Sequence, residues 1–261
     1  MKWAGGKSQL LGELSSRLPA SYGRYFEPFA GSAALFFRLQ PESATLADAN
    51  GELINCYRVV RDDVGALIAH LSTHENEASY FYATRAADPD EMDEIERASR
   101  FIYLNRTCFN GLYRVNRRGQ FNTPFGAYKK PRICDVDNLT AASAVLQGVE
   151  LLDCDYRDAL ALGEAGDFVY LDPPYVPASR FSDFKRYTKE QFREEDHSAL
   201  ALVFRELGER GCNVMLSNGH TPLVHELYRG FRVEIVQARR LINRNVAGRG
   251  CVDEVIIRNY A

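Results

Sequence analysis

Asp172-Pro173-Pro174-Tyr175 follows directly on the apolar run Phe168-Val169-Tyr170-Leu171. Two consecutive prolines have no N–H to donate and are held away from helix, so their carbonyls can face a ligand. An Asp oxygen beside a Pro carbonyl offers two acceptors, which matches an –NH2 group with two donors. The Tyr175 ring can stack on the flat group that bears such an amine. If the apolar run is a parallel strand, the segment lies at its carboxyl end, where open α/β sheets bind ligands. The bland alternative is a proline-capped strand end carrying an exposed acid.

Two further segments weigh against the bland alternative. Phe26-Glu27-Pro28-Phe29-Ala30-Gly31-Ser32-Ala33-Ala34 reads as a strand that turns into a helix through Gly31. A single glycine is not G-x-G-x-x-G, so this is no nicotinamide fingerprint. Asp48 ends the next apolar run, seventeen residues after Gly31. That is roughly the interval at which a βαβ nucleotide site sets an acid on ribose hydroxyls. Lys2-Trp3-Ala4-Gly5-Gly6-Lys7-Ser8 ends in Gly-Lys-Ser. A P-loop also needs a glycine five residues before Gly6, where this chain has Met1, and no strand fits upstream. What remains is an ammonium, a Gly-Gly backbone and an indole face, which suit a small carboxylate.

These side chains need a scaffold, and the pattern of apolar runs predicts one. Short strands are expected at 25–27, 44–48, 149–153, 167–171, 213–217, 231–236 and 252–258. Helical patterns fall between them, at about 33–40, 51–61, 138–147, 157–163, 190–210 and 221–228. Such alternation predicts an α/β fold, a mostly parallel sheet with helices on both faces. The last two strands have no helix between them, only the polar stretch 237–250, and are expected to pair antiparallel. The alternation fails between about residues 60 and 135. Residues 1–59 and 136–261 are therefore expected to form the catalytic domain, and 60–135 an inserted, mainly helical recognition element.

Composition narrows the partners. In 261 residues no apolar run approaches the roughly 18 a membrane span needs, and MKWAGGKSQL lacks a signal-peptide core. A cytoplasmic protein is expected. The six cysteines make no C-x-x-C pair and read as free thiols. His70 and His74 share a helical spacing but no H-E-x-x-H, so no metal is expected and both read as solvated surface. Net charge is −3, yet residues 97–134 carry nine bases and no acid: Arg97, Arg100, Arg106, Arg114, Arg117, Arg118, Lys129, Lys130 and Arg132. Residues 229–249 carry six Arg against Glu234 alone. Tyr103, Phe109, Tyr113, Phe121, Phe125 and Tyr128 are interleaved with the first of these stretches. One-sided charge mixed with aromatics points to a phosphate-tracking, base-stacking surface. Arg117 and Arg118, adjacent in a polar stretch, suit backbone phosphates.

Together these segments resemble the Dam-type DNA adenine methyltransferases, from Lys2 nearly to Ala261. KWAGGK, FEPFAGSAALFF, LADANGELIN, NRTCFNGLYRVNRRGQFNTPFGAYKKP, VYLDPPY, LSNGH and VDEVIIRNY follow that family's order. The resemblance implies a Rossmann-like methyltransferase sheet, S-adenosylmethionine as methyl donor, and the N6 amine of a flipped adenine in duplex DNA as acceptor. It implies that Trp3 and Lys7 hold the methionine end of the cofactor, that Asp48 holds the ribose, and that Asp155 and Tyr156 meet the adenine. Glu27 and Gly31 fall in the first cofactor motif. Asp172, Pro173 and Tyr175 are implied as catalytic, with Asp172 between cofactor and target. Phe109 takes the place of an aromatic wedge, and Lys2, Asn110, Leu112 and Arg114 match base-contacting positions. The arginine of NGLYR points to GATC as the site. Ala33 departs from the motif's usual second glycine, which adds a methyl near the cofactor. The competing readings are an amino-methyltransferase acting on RNA or protein glutamine, and a DNA-binding module without catalysis.

Overall fold

The computed structural model describes Trp3 and residues 6–176, 192–239 and 251–261. Seven strands form one sheet: β1 (Tyr25–Glu27), β2 (Ala44–Asp48), β3 (Glu150–Asp153), β4 (Phe168–Leu171), β5 (Asn213–Gly219), β6 (Arg232–Arg239) and β7 (Cys251–Arg258). Their spatial order is β3-β2-β1-β4-β5-β7-β6. β1 to β5 pair in parallel, whereas β7 lies antiparallel between β5 and β6. The chain therefore steps outward from β1 to β3, then returns to β4 on the other side of β1. That reversal leaves a crevice at the carboxyl ends of β1 and β4, where Glu27 and Asp172 stand.

Side chains alternate between two cores, as strand geometry requires. Tyr25, Leu46, Phe168, Tyr170, Met215 and Ile256 face one core. Phe26, Val169, Leu171, Val214, Leu216, Val255 and Ile257 face the other. The second is covered by α8 (Tyr156–Ala161), α9 (Glu194–Glu209) and α10 (Pro222–Leu227). The first is covered by α1 (Leu11–Ser15), α2 (Ala34–Leu39) and α3 (Gly51–Asp62).

Between α3 and α7 (Val136–Leu146) the chain builds α4 (Val64–Leu71), α5 (Ala78–Ala86) and α6 (Glu94–Thr107). A capping box starts α6: Asp93 accepts from the Glu96 amide at 2.8 Å, and Glu96 accepts from the Asp93 amide at 3.0 Å. The helix buries Phe101, Ile102, Tyr103 and Leu104, in one continuous core with Leu53 and Ile54 of α3 and with Leu46 of the sheet. Burial of that extent makes the inserted helices part of one sheet face. Among the described residues no helix is long and apolar enough to cross a membrane, and the described cysteine side chains are free thiols.

The histidines overturn an expectation. His70 and His74 are not solvated surface; they tie α4, α5 and α6 together. The His74 ring stacks on Tyr103 at 4.4 Å, with Nδ1 2.9 Å from the Tyr80 hydroxyl and Nε2 2.9 Å from Ser99 Oγ. His70 Nδ1 shares the same Ser99 hydroxyl at 2.8 Å. Burial pushes His74 down to about 4, so it stays neutral in this network.

Candidate active site

Asp172 leaves the end of β4 and is held from two sides. Ser217 Oγ, on neighbouring β5, donates to its Oδ1 at 2.9 Å, and the Lys7 ammonium lies 2.7 Å from the same oxygen. Because Ser217 gives its one hydrogen to Asp172, the Tyr170 hydroxyl 2.9 Å away must donate to Ser217. The Lys7 ammonium also stands 4.5 Å over the Tyr175 ring, a cation–π geometry. The Tyr175 hydroxyl donates to Glu254 of β7 at 2.7 Å. Burial first, then the carboxylates of Asp172 and Glu254, raise its phenol well above the ordinary value, so it keeps its proton.

Glu27 ends β1 in the same crevice and is only 3% exposed. Its Oε2 accepts from the Tyr25 hydroxyl at 2.8 Å and from the Phe36 amide at 3.3 Å. Burial pushes this carboxyl up to about 8, with Asp172 adding to the push and Tyr25 and Lys7 opposing it. Glu27 is therefore neutral near pH 7, and the ion pair beside it is that of Asp172 with Lys7.

The turn after β1 is built around Gly31, at φ +47°. Asp48, at the end of β2, accepts from the Gly31 amide at 3.0 Å and from the Asn50 amide at 2.9 Å. Burial raises Asp48 to about 6 against those two bonds. The Trp3 indole covers Gly31 on one side and stacks on Tyr113 at 5.4 Å on the other. The N-terminal segment thus joins this turn to the inserted helices. Ala33 also has positive φ, +48°, and its methyl is wholly buried in the core. The departure from glycine therefore loads the backbone with strain of about 1–2 kcal/mol.

A methyl on Gly31 would lie 2.9 Å from Trp3 Cδ1 and Nε1. Gly31→Ala is expected to cost about 1–2 kcal/mol for left-handed backbone and about 1–3 for crowding. The thermal midpoint should fall by roughly 2–4 °C per kcal/mol. Trp3 is the chain's only tryptophan, so its emission should shift red as the indole is pushed into water. An unshifted spectrum with an unchanged midpoint would contradict this packing.

Asp155 caps α8, accepting from the Arg157 amide at 2.9 Å, and remains exposed. Tyr156 is buried with its ring on Phe29 at 5.1 Å, and its hydroxyl has no hydrogen-bond partner among the described residues. Lys7 is drawn to Asp172, whereas the resemblance had set it on the cofactor alone.

The inserted segment sorts its residues differently from their order in the sequence. Tyr103, Tyr113 and Phe121 are buried, and Phe125 and Tyr128 are half-buried. Phe109 alone of the six aromatics is strongly exposed, at 53%, and the next residue, Asn110, has φ +57°. Two expected phosphate-tracking bases are also spoken for. Arg97 pairs with Glu52, and buried Arg100 donates to the carbonyls of Thr84 and Arg85. Val115 and Phe121 bridge antiparallel, with 116–120 as the connecting loop. Arg117 and Arg118 are exposed on that loop. Arg114 lies below it, half-buried, and its Nε donates to Asn122 Oδ1 at 2.7 Å. Leu112 is half-buried and its carbonyl accepts the Thr123 hydroxyl at 2.6 Å. Lys2 and most of 237–250 lie outside the described residues.

Residues 3–242 match the family of D12 class N6 adenine-specific DNA methyltransferases. The chain belongs to this family. It is 43% identical to the Type II methyltransferase M1.LlaDCHI of Lactococcus lactis subsp. cremoris, over 99% of this chain and 94% of that protein. It is 37% identical to the DNA adenine methylase of Serratia marcescens, over 98% and 96%. The DNA adenine methylase of Escherichia coli K12 is 35% identical, over 98% and 93%.

The protein is thus an adenine-specific DNA methyltransferase with a Rossmann-like sheet, and RNA or protein glutamine is set aside as its substrate. Around the crevice of this methyltransferase stand three residues that the sequence reading quoted in motifs without giving them a role: Ser217, Asn218 and Glu254. LSNGH and VDEVIIRNY carried the signal. What they hold became visible only when β5 and β7 were set beside Asp172.

Proposed function

We propose that this methyltransferase moves the methyl group of S-adenosylmethionine to N6 of an adenine rotated out of duplex DNA, with GATC as its site. The observation that carries the reading is the joint placement of Asp172, the Lys7 ammonium and the Tyr175 ring at the β1/β4 switch point.

The cofactor's needs match the residues present. Asp48 offers a half-buried carboxylate to ribose hydroxyls, and Gly31 a bare backbone beside it. Asp155 and the Tyr156 hydroxyl, unpartnered among the described residues, offer polar contacts beside the Phe29 ring. Trp3 and Lys7 suit the methionine end. When bound, S-adenosylmethionine supplies a sulfonium methyl whose leaving group is a neutral thioether.

The protein's own part is positioning. Ser217 fixes Asp172, which accepts one hydrogen of the adenine amine while the Pro173 carbonyl accepts the other. This favours a pyramidal nitrogen with its lone pair directed at the methyl group. No strong base is needed, since the nitrogen sheds its proton readily once it carries positive charge. Lys7 occupies the face of Tyr175 on which a base would stack, so arrival of the adenine displaces it from both Asp172 and the ring. Taking the base from the duplex costs a few kcal/mol, and Phe109, exposed on the inserted segment, fills or wedges the gap in this reading.

Base reading falls to Arg114, with Asn110 and Leu112 beside it, whereas exposed Arg117 and Arg118 take backbone phosphates. Arg114→Ala is expected to cost roughly 1–3 kcal/mol on GATC and little elsewhere, so that discrimination at one base pair collapses. Arg117→Ala with Arg118→Ala should slow all sites alike and flatten the salt dependence by about one unit per lost contact. The measurement is methylation of a GATC duplex and every single-base variant at two salt concentrations. Wild-type preference for another site would refute GATC. One common factor for Arg114→Ala on all duplexes would refute base reading by that residue.

A further inference from the structure

We infer that Glu254 is a positioning residue for methyl transfer: by accepting the Tyr175 hydroxyl it holds in place the outer end of the ring on which the target base stacks. The inference rests on the stacking role proposed above for Tyr175.

The Tyr175 ring sits at the end of a two-proline segment with no N–H of its own to anchor it. Its outer end is anchored by the phenol oxygen, which donates to Glu254 Oε2 at 2.7 Å. Glu254 is well placed to hold it. It lies in β7 with paired strands on both sides, opposite Gly219 of β5 and Val236 of β6. Gly219 leaves the ladder bare there, and the position a methyl would take is 3.9 Å from Tyr175 Cδ2. The ring lies against that gap. Asn218, fully buried, accepts from the Gly219 amide at 2.8 Å and from the Val176 amide at 3.4 Å, which holds the chain just after the ring. A hydrogen bond from phenol to carboxylate is short and charge-assisted. The phenol, raised well above its ordinary value, stays a donor throughout. A ring free to swing away from this position would have to be ordered anew in each turnover, which lowers kcat and leaves binding largely alone.

The test uses the full-length enzyme and a duplex that the wild type methylates. The variants are Glu254→Ala, Glu254→Gln, Tyr175→Phe, Tyr175→Ala and the double Glu254→Ala/Tyr175→Phe. Glu254→Ala and Tyr175→Phe should each lower kcat by roughly ten- to a hundredfold, with KM for DNA and cofactor within about twofold. The double variant should be no slower than the singles. Glu254→Gln, whose amide oxygen still accepts the phenol, should recover most of the rate. Tyr175→Phe tests the contact from the other side, without touching β7. Additive losses, a Gln variant as slow as Ala, or a Tyr175→Phe rate equal to wild type would overturn the role of Glu254. Wild-type turnover by Tyr175→Ala would instead overturn the stacking role itself.

Discussion

Asp172→Ala is expected to abolish methyl transfer by several powers of ten while DNA binding persists, because one acceptor and the orientation of the nitrogen are lost together. Seen from the sequence alone, the substitution should be structurally silent, since the residue stands at a strand's exposed end. The ion pair changes that expectation. Lys7 is only 6% exposed, and without Asp172 its ammonium loses a partner 2.7 Å away. Breaking a buried pair from one side is destabilising, by as much as about 3–5 kcal/mol where solvent is fully excluded. Asp172→Asn keeps an oxygen that can accept from Ser217 and Lys7, so it removes the charge of the pair while keeping its hydrogen-bond geometry. Labelled-methyl transfer and a gel-shift assay on both variants decide the matter. Activity within tenfold of wild type in Asp172→Ala would remove this residue from the reaction.

The second large effect concerns pH. A carboxyl whose folded value lies near 8, against an ordinary 4.5, contributes stability in its protonated state. That contribution is complete below about 4.5 and is lost as pH rises through about 8. Each unit of separation is worth about 1.4 kcal/mol, so the loss over this window amounts to several kcal/mol. Glu27→Gln keeps an oxygen for the Tyr25 hydroxyl and the Phe36 amide but cannot ionise. The variant should match wild type near pH 5 and exceed it clearly at pH 8.5, as read by urea unfolding at both. Asp48, raised to about 6, will leave a smaller slope of the same sign below pH 6 in both proteins. Parallel curves up to pH 8.5 would mean that Glu27 is charged in the folded enzyme. A neutral Glu27 also spares the Asp172–Lys7 pair a second negative charge beside it.

The strands were legible because each is an apolar run closed by an acid or a turn, and 25–27 and 44–48 fall where the runs do. The antiparallel end of the sheet followed from the missing helix between the last two strands. Contacts across the sheet had no such local mark. Ser217 meets Asp172 from 45 residues away, and Tyr175 meets Glu254 across 79. No periodicity within either segment records the neighbour. The inserted segment misled in a different way. Tyr113 and Phe121 have the composition of base-stacking residues, but the helices beside them needed apolar cover, and burial took them. Arg97 and Arg100 were drawn inward by Glu52 and by two open carbonyls. Composition showed Phe109 as one aromatic among six, and only the family resemblance singled it out. The histidines were read from helical spacing, while Tyr103 and Tyr80, which enclose His74, come from later helices.

The position of β7 has a consequence for the order in which the enzyme is assembled. β6 is made before β7, yet its sole neighbour among the described residues is β7. Until residues 251–258 are added, β6 has no strand to pair with, and β5 presents an open edge. The same late strand brings Glu254 to the Tyr175 hydroxyl. During synthesis, then, the cofactor turn, the inserted helices and Asp172 can all be in place before the aromatic platform is anchored. A chain released before residue 251 would lack the acceptor for the Tyr175 hydroxyl, and its β5 edge would stay open to pairing with other chains.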